Sequence, residues 1–177
     1  MSCSEAINPY QCSGYVLPTE GEWEYAARSG TQYDFWTPDG GGNYSADVCG
    51  NEVNDTSVTI NDGVTNPPLS DYAWFCGNMS DSTYYETAKP AGLKLPNGFG
   101  LYDMHGNVWE WTTDWHGCFP ALTSTDPWCF PGLGFSRVLR GGDWRRSPSD
   151  TRASRRDYYS PTSGYYYGMG FRLGLHP

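Results

Sequence analysis

Large aromatic side chains are interspersed with turn-forming residues along almost the whole chain, and this mixture limits the folds open to it. The 177 residues include 8 Trp, 14 Tyr and 7 Phe together with 22 Gly and 13 Pro. Because Gly and Pro interrupt regular elements, long helices are not expected, and burial must come from rings packed between loops. A chain of this length most simply forms one domain, residues 1–177, which buries roughly two thirds of its unfolded surface.

One segment carries the start and stop signals of a short helix. Thr19 and Glu22 have the spacing of a capping box, and Gly30 stands where the residue that follows a helix is expected. Trp23 and Ala27 mark one apolar face of this helix. We therefore predict a single short helix that follows Thr19.

The rest of the chain is predicted to form loops and short strands. Residues 31–90 are rich in Gly, Asn, Asp, Thr and Pro, which is typical of surface loops folded over a core. Aromatic and β-branched residues predict strands that begin near residues 108–111 and cover residues 137–140 and 169–173.

The six cysteines are an even number in a small chain, which is typical of disulfides but leaves fifteen pairings open. We predict that neighbours in the sequence pair, in particular Cys118 with Cys129 and Cys3 with Cys12, because each bridge would close a short loop. Free buried thiols are the alternative. No two cysteines have C-x-x-C spacing, which argues against a zinc site or a redox motif.

The net charge of −9 is unevenly distributed. Residues 1–140 contain 5 Lys and Arg against 17 Asp and Glu, whereas residues 141–177 contain six Arg and three Asp. A largely acidic chain repels phosphate, so nucleic acid is not an expected partner. No stretch approaches the roughly 20 apolar residues of a membrane span, and the N-terminal residues lack the pattern of a signal peptide. We expect a soluble chain without membrane insertion.

Four segments together resemble the formylglycine-generating-enzyme/sulfatase-modifying-factor domain, a branch of the C-type lectin fold. They are LPTEGEWEYAARSG (17–30), GFGLYDMHGNVWEW (98–111), RVLRGGDW (137–144) and GFRL (170–173), and they follow one another in the family's order. The resemblance implies an α+β, C-type lectin fold of the formylglycine-generating-enzyme type. Such a fold has little regular secondary structure, short helices and small antiparallel sheets.

The resemblance also implies a structural Ca²⁺ site in the second segment. Two carboxylates separated by a glycine turn can present the oxygen ligands that a hard cation needs. The alternative is that Glu110 is a buried acid paired with an arginine such as Arg140 or Arg172. The implied ligands are Asp103, Gly106, Val108 and Glu110.

For the enzymes of the family, the resemblance implies a cysteine pair in the C-terminal segment that binds copper or takes part in thiol chemistry. The last cysteine here is Cys129, and Ser, Thr or Tyr cannot replace a thiolate or a soft metal ligand. Related sulfoxide synthases use histidines from a further domain, whereas His105, His116 and His176 have no ligand spacing. No G-x-S-x-G motif is present. We therefore expect a non-enzymatic protein without a redox cofactor; a formylglycine-generating-type oxidoreductase is the alternative.

The segment of about residues 143–169 has the composition of a binding surface. Tyr offers large amphipathic contacts at low entropic cost, and Ser, Gly and Thr add adaptable hydrogen bonds, as in antibody paratopes. Ten residues of this region match the family's strands and turns and are interpreted as scaffold: Arg140, Gly141, Gly142, Trp144, Arg152, Arg156, Pro161, Gly170, Phe171 and Arg172. Seventeen other positions are the predicted ligand-binding residues: Arg145, Arg146, Ser147, Ser149, Asp150, Arg155, Asp157, Tyr158, Tyr159, Ser160, Thr162, Ser163, Gly164, Tyr165, Tyr166, Tyr167 and Gly168.

These seventeen positions hold only Arg, Ser, Asp, Tyr, Thr and Gly, all of which can be encoded by codons that end in a pyrimidine. Lys and Glu, common elsewhere in proteins, are absent from the set. The pattern resembles the variable proteins of diversity-generating retroelements, in which adenines of template Asn codons are randomised. The resemblance implies a diversified C-terminal segment; a fixed accessory or lectin domain is the alternative.

The predicted partner is another protein on a cell or virus surface. The tyrosines would supply affinity, and the Arg and Asp side chains charged selectivity. A fixed sugar-binding lectin is less favoured because the E-P-N and Q-P-D triplets are absent. We favour a cell-surface, virion or extracellular location over the cytoplasm.

Overall fold

The computed structural model describes residues 8–49, 56–79, 87–117, 127–129, 135–164 and 166–177. Within these residues it contains one α-helix, four 3₁₀ helices and eight short strands. The 3₁₀ helices are Pro9–Gln11, Leu69–Asp71, Cys76–Asn78 and Pro148–Asp150. The remaining elements are β1 (Gly14–Val16), α1 (Glu20–Arg28), β2 (Asn43–Tyr44), β3 (Ile60–Asn61), β4 (Trp109–Trp115), β5 (Arg137–Arg140), β6 (Arg156–Tyr159), β7 (Met169–Gly170) and β8 (Gly174–His176).

The capping box at the start of α1 is confirmed. The Glu22 backbone N–H donates to Thr19 Oγ1 at 3.2 Å, and the Thr19 N–H donates to the Glu22 carboxylate at 2.8 Å. Trp23 and Ala27 are buried on the predicted face. The helix ends at Arg28, because Ser29 adopts a left-handed backbone with φ 45°, which ends the helical hydrogen-bond pattern.

The largest sheet has four strands in the order β6-β5-β4-β7. β5 pairs antiparallel with both β4 and β6, whereas β7 pairs parallel with β4. The strand predicted over residues 169–173 is wrong beyond Gly170, because Arg172 turns inward to reach Glu110. β1 pairs with β8 and β2 with β3, which gives two further small antiparallel sheets.

Two clusters of buried apolar side chains lie in the core of the described residues. One cluster gathers Trp23 and Ala27 of α1 with Met104 and Ala153. The other is built within residues 35–75, from Phe35, Phe75 and aliphatic neighbours, so this region supplies core as well as the expected loops. The Phe35 ring lies 4.8 Å from the ring of buried His105, which brings the two regions into contact.

The backbone between the clusters requires one glycine in particular. Gly106 has φ +76°, and a Cβ there would lie 1.7 Å from the Trp74 carbonyl oxygen. No other residue fits this approach.

Cys49 and Cys76 form a disulfide, and these are neighbours in the sequence, as the pairing prediction requires. Cys12 and Cys129 are also disulfide-bonded. Their predicted partners, Cys3 and Cys118, lie outside the described residues, so those two pairings stay predictions. The alternative of free thiols is wrong for the four cysteines that the structure describes.

Within the described ranges, no helix has the length and apolar character needed to cross a membrane.

Candidate ligand-binding surface

The segment that follows β5 begins with residues buried in the core. Gly141, Gly142, Asp143 and Trp144 are all buried. The Trp144 N–H donates to the Asn107 carbonyl at 3.0 Å, which ties this turn to the loop before β4. The backbone position at the start of the predicted binding segment is therefore fixed by the core.

The buried side chain of Arg140 binds the backbone of the same segment from the core. Its fully buried side chain pairs with Glu24 and donates to the carbonyl oxygens of Ala153 at 2.8 Å and Arg155 at 2.5 Å. Burial lowers the pKa of Arg140, and the carboxylates of Glu24 and Glu20 oppose that shift. Because arginine remains charged at any ordinary pH, this buried cation fixes two carbonyls of the loop before β6.

A second arginine fixes the start of β6. Arg156 places its guanidinium on the Glu20 carboxylate, with Nε and Nη2 at 2.5 Å and 2.7 Å from the two oxygens. Such a bidentate pair sets direction as well as distance. The Glu20 N–H in turn donates to buried Asp114 at 2.6 Å. The strand that carries Asp157 to Tyr159 is thus anchored on the N-terminus of α1.

The predicted ligand-binding residues lie at or near the surface, with one exception. Of the sixteen that the structure describes, seven are exposed, eight are half-buried and one is buried. Tyr165 lies outside the described residues. The exposed members are Arg145, Arg155, Tyr158, Thr162, Ser163, Gly164 and Tyr167; the half-buried ones are Arg146, Ser147, Ser149, Asp150, Asp157, Tyr159, Ser160 and Tyr166; Gly168 is buried.

Three of these side chains contact a fourth, Tyr166. The Arg145 guanidinium carbon lies 4.8 Å from the ring centre, and the Tyr159 ring centre is 5.7 Å away. Arg146 Nη2 lies 3.5 Å from the Tyr166 hydroxyl and donates to it. Cation–π and ring–ring contacts of this kind favour a shared, ordered patch. We call Arg145, Arg146, Tyr159 and Tyr166 the tyrosine–arginine surface.

Tyr158 is separated from this surface by the alternation of β6. Tyr158 is opposite Val138 in the sheet, and Tyr159 is opposite Arg137. Because successive strand residues point to opposite faces, Tyr158 faces away from Tyr159. The Tyr158 ring instead stacks on His116 with ring centres 3.9 Å apart. The seventeen predicted residues therefore do not form one continuous face.

Gly168 is a correction to the predicted set. A Cβ at this position would lie 2.5 Å from the Asp143 carboxylate and 2.7 Å from Arg145 Nη2. The Gly168 carbonyl also accepts a hydrogen bond from the Trp109 N–H at 2.7 Å. Gly168 is therefore a scaffold residue whose lack of a side chain makes room for the Arg145–Asp143 ion pair.

Two of the ten residues interpreted as scaffold, Pro161 and Phe171, are exposed, and the other eight are buried or half-buried. Phe171 is 66% exposed because the chain leaves the sheet at Gly170 and turns Arg172 inward.

A further contact to the predicted segment comes from Asp47, which no motif in the sequence singles out. The Ser149 N–H donates to the Asp47 carboxylate at 2.9 Å. Slight burial acts to raise the pKa of Asp47, but hydrogen bonds from Ser149 and Ser147 outweigh it and lower the pKa. Asp47 stands two residues before disulfide-bonded Cys49, in a loop region rich in Gly, Asn, Asp and Thr.

Three of the four implied calcium ligands, Asp103, Gly106 and Val108, lie in the loop before β4, whereas Glu110 lies in β4 and is already engaged. Arg172 donates to both Glu110 carboxylate oxygens at 2.5 Å and 2.7 Å, and the Trp23 indole N–H donates to one of them at 2.6 Å. Asp103 accepts from the Gly92 N–H at 2.8 Å, while its other oxygen is buried and has no hydrogen-bond partner among the described residues. Glu110 in this arrangement fits the arginine pair that the sequence left as the alternative, and a calcium ion would have to compete with it. Calcium binding stays a prediction.

The three histidines lie in different places. His105 is buried, with Nδ1 2.8 Å from the Thr151 carbonyl, and burial lowers its pKa to about 4. His176 Nε2 lies 2.9 Å from Glu22, and His116 stacks on Tyr158. In the part of the chain that the structure describes, no three His, Cys, Asp or Glu side chains are grouped as metal ligands.

Similarity to known proteins agrees with this architecture. A family model described as "Sulfatase-modifying factor enzyme 1-like domain" matches residues 3–175. The chain belongs to this family. The formylglycine-generating enzyme of Thermomonospora curvata is 31% identical over 188 residues, covering 100% of this chain and 54% of that protein.

Two solved structures are also similar to this member of the sulfatase-modifying-factor family. Treponema denticola variable protein 1 superposes with a TM-score of 0.66 and 32% identity over 93% of this chain and 49% of that chain. PvdO from Pseudomonas aeruginosa gives a TM-score of 0.65 and 26% identity over 92% of this chain and 53% of that chain. The expected α+β fold of the formylglycine-generating-enzyme type is confirmed. The chain spans about half the length of these relatives.

Proposed function

We propose that this protein is a non-enzymatic ligand-binding protein whose C-terminal segment is diversified by a diversity-generating retroelement. The ligand is a protein on a cell or virus surface. The observation that carries the proposal is that buried scaffold residues lie beneath ligand-binding residues that reach the surface. Fifteen of the sixteen described ligand-binding residues reach the surface, while Arg140, Gly141, Gly142 and Trp144 beneath them are buried.

This division has the physical property that diversification requires. A buried frame stabilises the backbone through contacts that the displayed side chains do not make. Surface substitutions away from such contacts usually change stability by no more than about 0.5 kcal/mol. The segment can therefore exchange displayed side chains while the fold persists. The similarity to a solved variable protein supports the same reading.

The coding DNA tests the diversification. We expect a near-copy of the segment that encodes about residues 143–169 close to the gene, differing mainly at adenines, together with a reverse-transcriptase gene. A genomic neighbourhood with neither feature would leave the alternative of a fixed accessory or lectin domain. Sequencing the segment from many cells of one culture gives an independent measurement, because a diversified segment varies at the displayed codons.

An oxidoreductase is the second candidate, because the family includes formylglycine-generating enzymes. Against it stands the sequence after Cys129, which contains no cysteine to bind copper or attack a substrate thiol. Copper uptake by the purified protein, with oxygen consumption in the presence of a cysteine peptide, would favour the enzyme. We expect neither.

A further inference from the structure

Most arginines of the basic C-terminal segment already have partners in the fold. Arg156 pairs with Glu20, and Arg172 with Glu110. Among the predicted ligand-binding residues, Arg145 pairs with buried Asp143 at 2.6 Å and Arg155 with Asp150 at 2.9 Å. Of the six arginines in residues 141–177, four are therefore neutralised by carboxylates.

Arg152 is the fifth, and it too is committed to the fold. Its Nε donates to the Ser149 carbonyl at 2.7 Å, and its guanidinium lies 6.0 Å from the Tyr44 ring centre. Its charge also acts on the Asp47 carboxylate and helps to lower the pKa of that group, after the effects of burial and of the serine hydrogen bonds.

Arg146 differs from the other five. Among the described residues no carboxylate lies within ion-pair distance of it, and its side-chain hydrogen bond is the long one of 3.5 Å to the Tyr166 hydroxyl. A guanidinium has five N–H donors, so most of its donor capacity is open. The side chain is only half-buried, so a ligand can reach it.

The backbone of Arg146 is nevertheless fixed on both sides. Its N–H donates to the Asp143 carbonyl at 2.9 Å, and its carbonyl accepts from the Cys76 N–H at 3.0 Å. Cys76 is in turn bonded to Cys49. A backbone that is already fixed loses little conformational entropy on binding, which leaves more of the contact energy for affinity.

We propose that Arg146 is the anion-recognition residue of this surface and that it binds an aspartate or glutamate side chain of the protein ligand, beside the Tyr166 ring. The planar guanidinium fork matches a carboxylate, and the neighbouring rings shield the pair from water. This inference rests on the proposed function. Because the whole chain carries a charge of −9, the ligand presents one acidic side chain within an otherwise uncharged or basic segment.

A random peptide library displayed on phage tests the proposal with a defined probe. The library is selected on the immobilised wild-type protein and, in parallel, on Arg146→Ser and Arg28→Ser. Arg28→Ser is the matched control, because Arg28 is a half-buried arginine outside the predicted binding segment and is already paired with Glu24 at 2.7 Å. Wild type and Arg28→Ser are expected to enrich peptides with Asp or Glu at one position, and Arg146→Ser is expected to lose that enrichment.

Synthetic versions of the selected peptides give the magnitude. Replacing the enriched acid by its amide, or Arg146 by Ser, is expected to weaken binding about 10-fold to 100-fold, and the two changes together no further. Arg146→Lys keeps the charge without the planar fork and is expected to recover part of the affinity. Circular dichroism and the thermal midpoint establish that each variant is folded, and Arg146→Gln replaces Arg146→Ser if that variant is not.

The outcomes separate this inference from the proposed function. Peptides that bind without a preferred acid, or that keep the preference on Arg146→Ser, overturn the role of Arg146 and leave a ligand-binding surface. If no peptide binds any form of the protein, both the inference and the proposed function are overturned.

Discussion

Single residues around the tyrosine–arginine surface are positioned by contacts with residues distant in the chain. Gly168 gives the clearest case, because it stands among displayed residues in the sequence yet lies against the Asp143 carboxylate in space. Arg146 gives another, since Cys76 holds its carbonyl across 70 positions of the chain. Residue type alone suggested that both belong to a variable set, but their surroundings give them different roles.

The close approach at Gly168 predicts the effect of adding one methyl group. Gly168→Ala places a carbon within 3 Å of Asp143 and Arg145, so the ion pair or the backbone must shift. We expect a loss of about 1–3 kcal/mol in the free energy of unfolding, measured by urea denaturation. Gly164→Ala is the matched control, because nothing lies within 4 Å of its Cβ position, and it is expected to change stability little. Equal losses in the two variants would contradict the assignment of Gly168 to the scaffold.

The strands determine which of the predicted ligand-binding residues lie on the same face. β6 carries three displayed residues in succession, and its pleat sends Tyr159 toward Tyr166 and Tyr158 toward His116. The Arg156–Glu20 pair holds the strand at its start. It therefore fixes which side chains of β6 point to each face of the sheet. A shift by one residue would reverse this arrangement.

The two faces of β6 predict different effects for two similar substitutions. With peptides selected on the wild-type protein, Tyr166→Ser is expected to weaken binding about tenfold or more, because a central aromatic anchor is lost. Tyr158→Ser is expected to leave the affinity within about twofold, because the Tyr158 ring lies on the opposite face. Isothermal titration calorimetry measures both, and equal losses would mean that the two faces form one binding site.

The loop that carries Asp47 predicts a link between a disulfide and the displayed segment. Replacing both Cys49 and Cys76 by Ser releases the loop whose Asp47 carboxylate accepts from the Ser149 N–H. We expect amide hydrogen exchange at Ser149 to accelerate about fivefold or more, as loss of one hydrogen bond allows. The Thr151 amide, which donates to the Pro148 carbonyl, is the internal control. Unchanged exchange at Ser149 would show that the loop holds its position without the disulfide.

Across the whole molecule, two buried groups make stability respond to pH in opposite directions. Burial lowers the pKa of His105 from 6.5 to about 4, so the unfolded state binds its proton more readily. The free energy of unfolding therefore rises by about 3 kcal/mol from this group as the pH goes from about 4 to 6.5. Burial raises the pKa of Asp114 from 3.8 to about 6, so the folded state holds its proton more tightly. Its contribution falls by about 3 kcal/mol as the pH goes from about 4 to 6.

The Asp114→Asn variant separates the two contributions. The variant keeps a side-chain oxygen acceptor but does not titrate, so the His105 contribution remains and stability rises with pH between about 4 and 6.5. The difference in unfolding free energy between wild type and variant is expected to fall by about 3 kcal/mol over pH 4 to 6. Urea denaturation at half-unit pH steps measures it, and a constant difference would mean that Asp114 is ionised in the folded protein throughout.

The sequence was sufficient for those features that depend on neighbouring residues. The capping box of α1, the beginnings of β4 and β5 and the loop-rich α+β architecture follow from short motifs, because hydrogen bonds and turn conformations of this kind involve residues three or four positions apart. The surface position of most residues in the C-terminal segment was also predictable, because the composition of that segment excludes a continuous core face.

Tertiary structure decided every feature that joins distant parts of the chain. It placed the Arg172 fork on Glu110, brought Asp47 to Ser149, buried Gly168 beneath Arg145, and left Arg146 without a carboxylate partner among the described residues. Ion pairs and close approaches depend on distances between strands and loops, and these distances are set by the packing of the whole domain. A sequence specifies which side chains carry charge and which are rings, but the folded chain determines which of those charges remain available to a ligand.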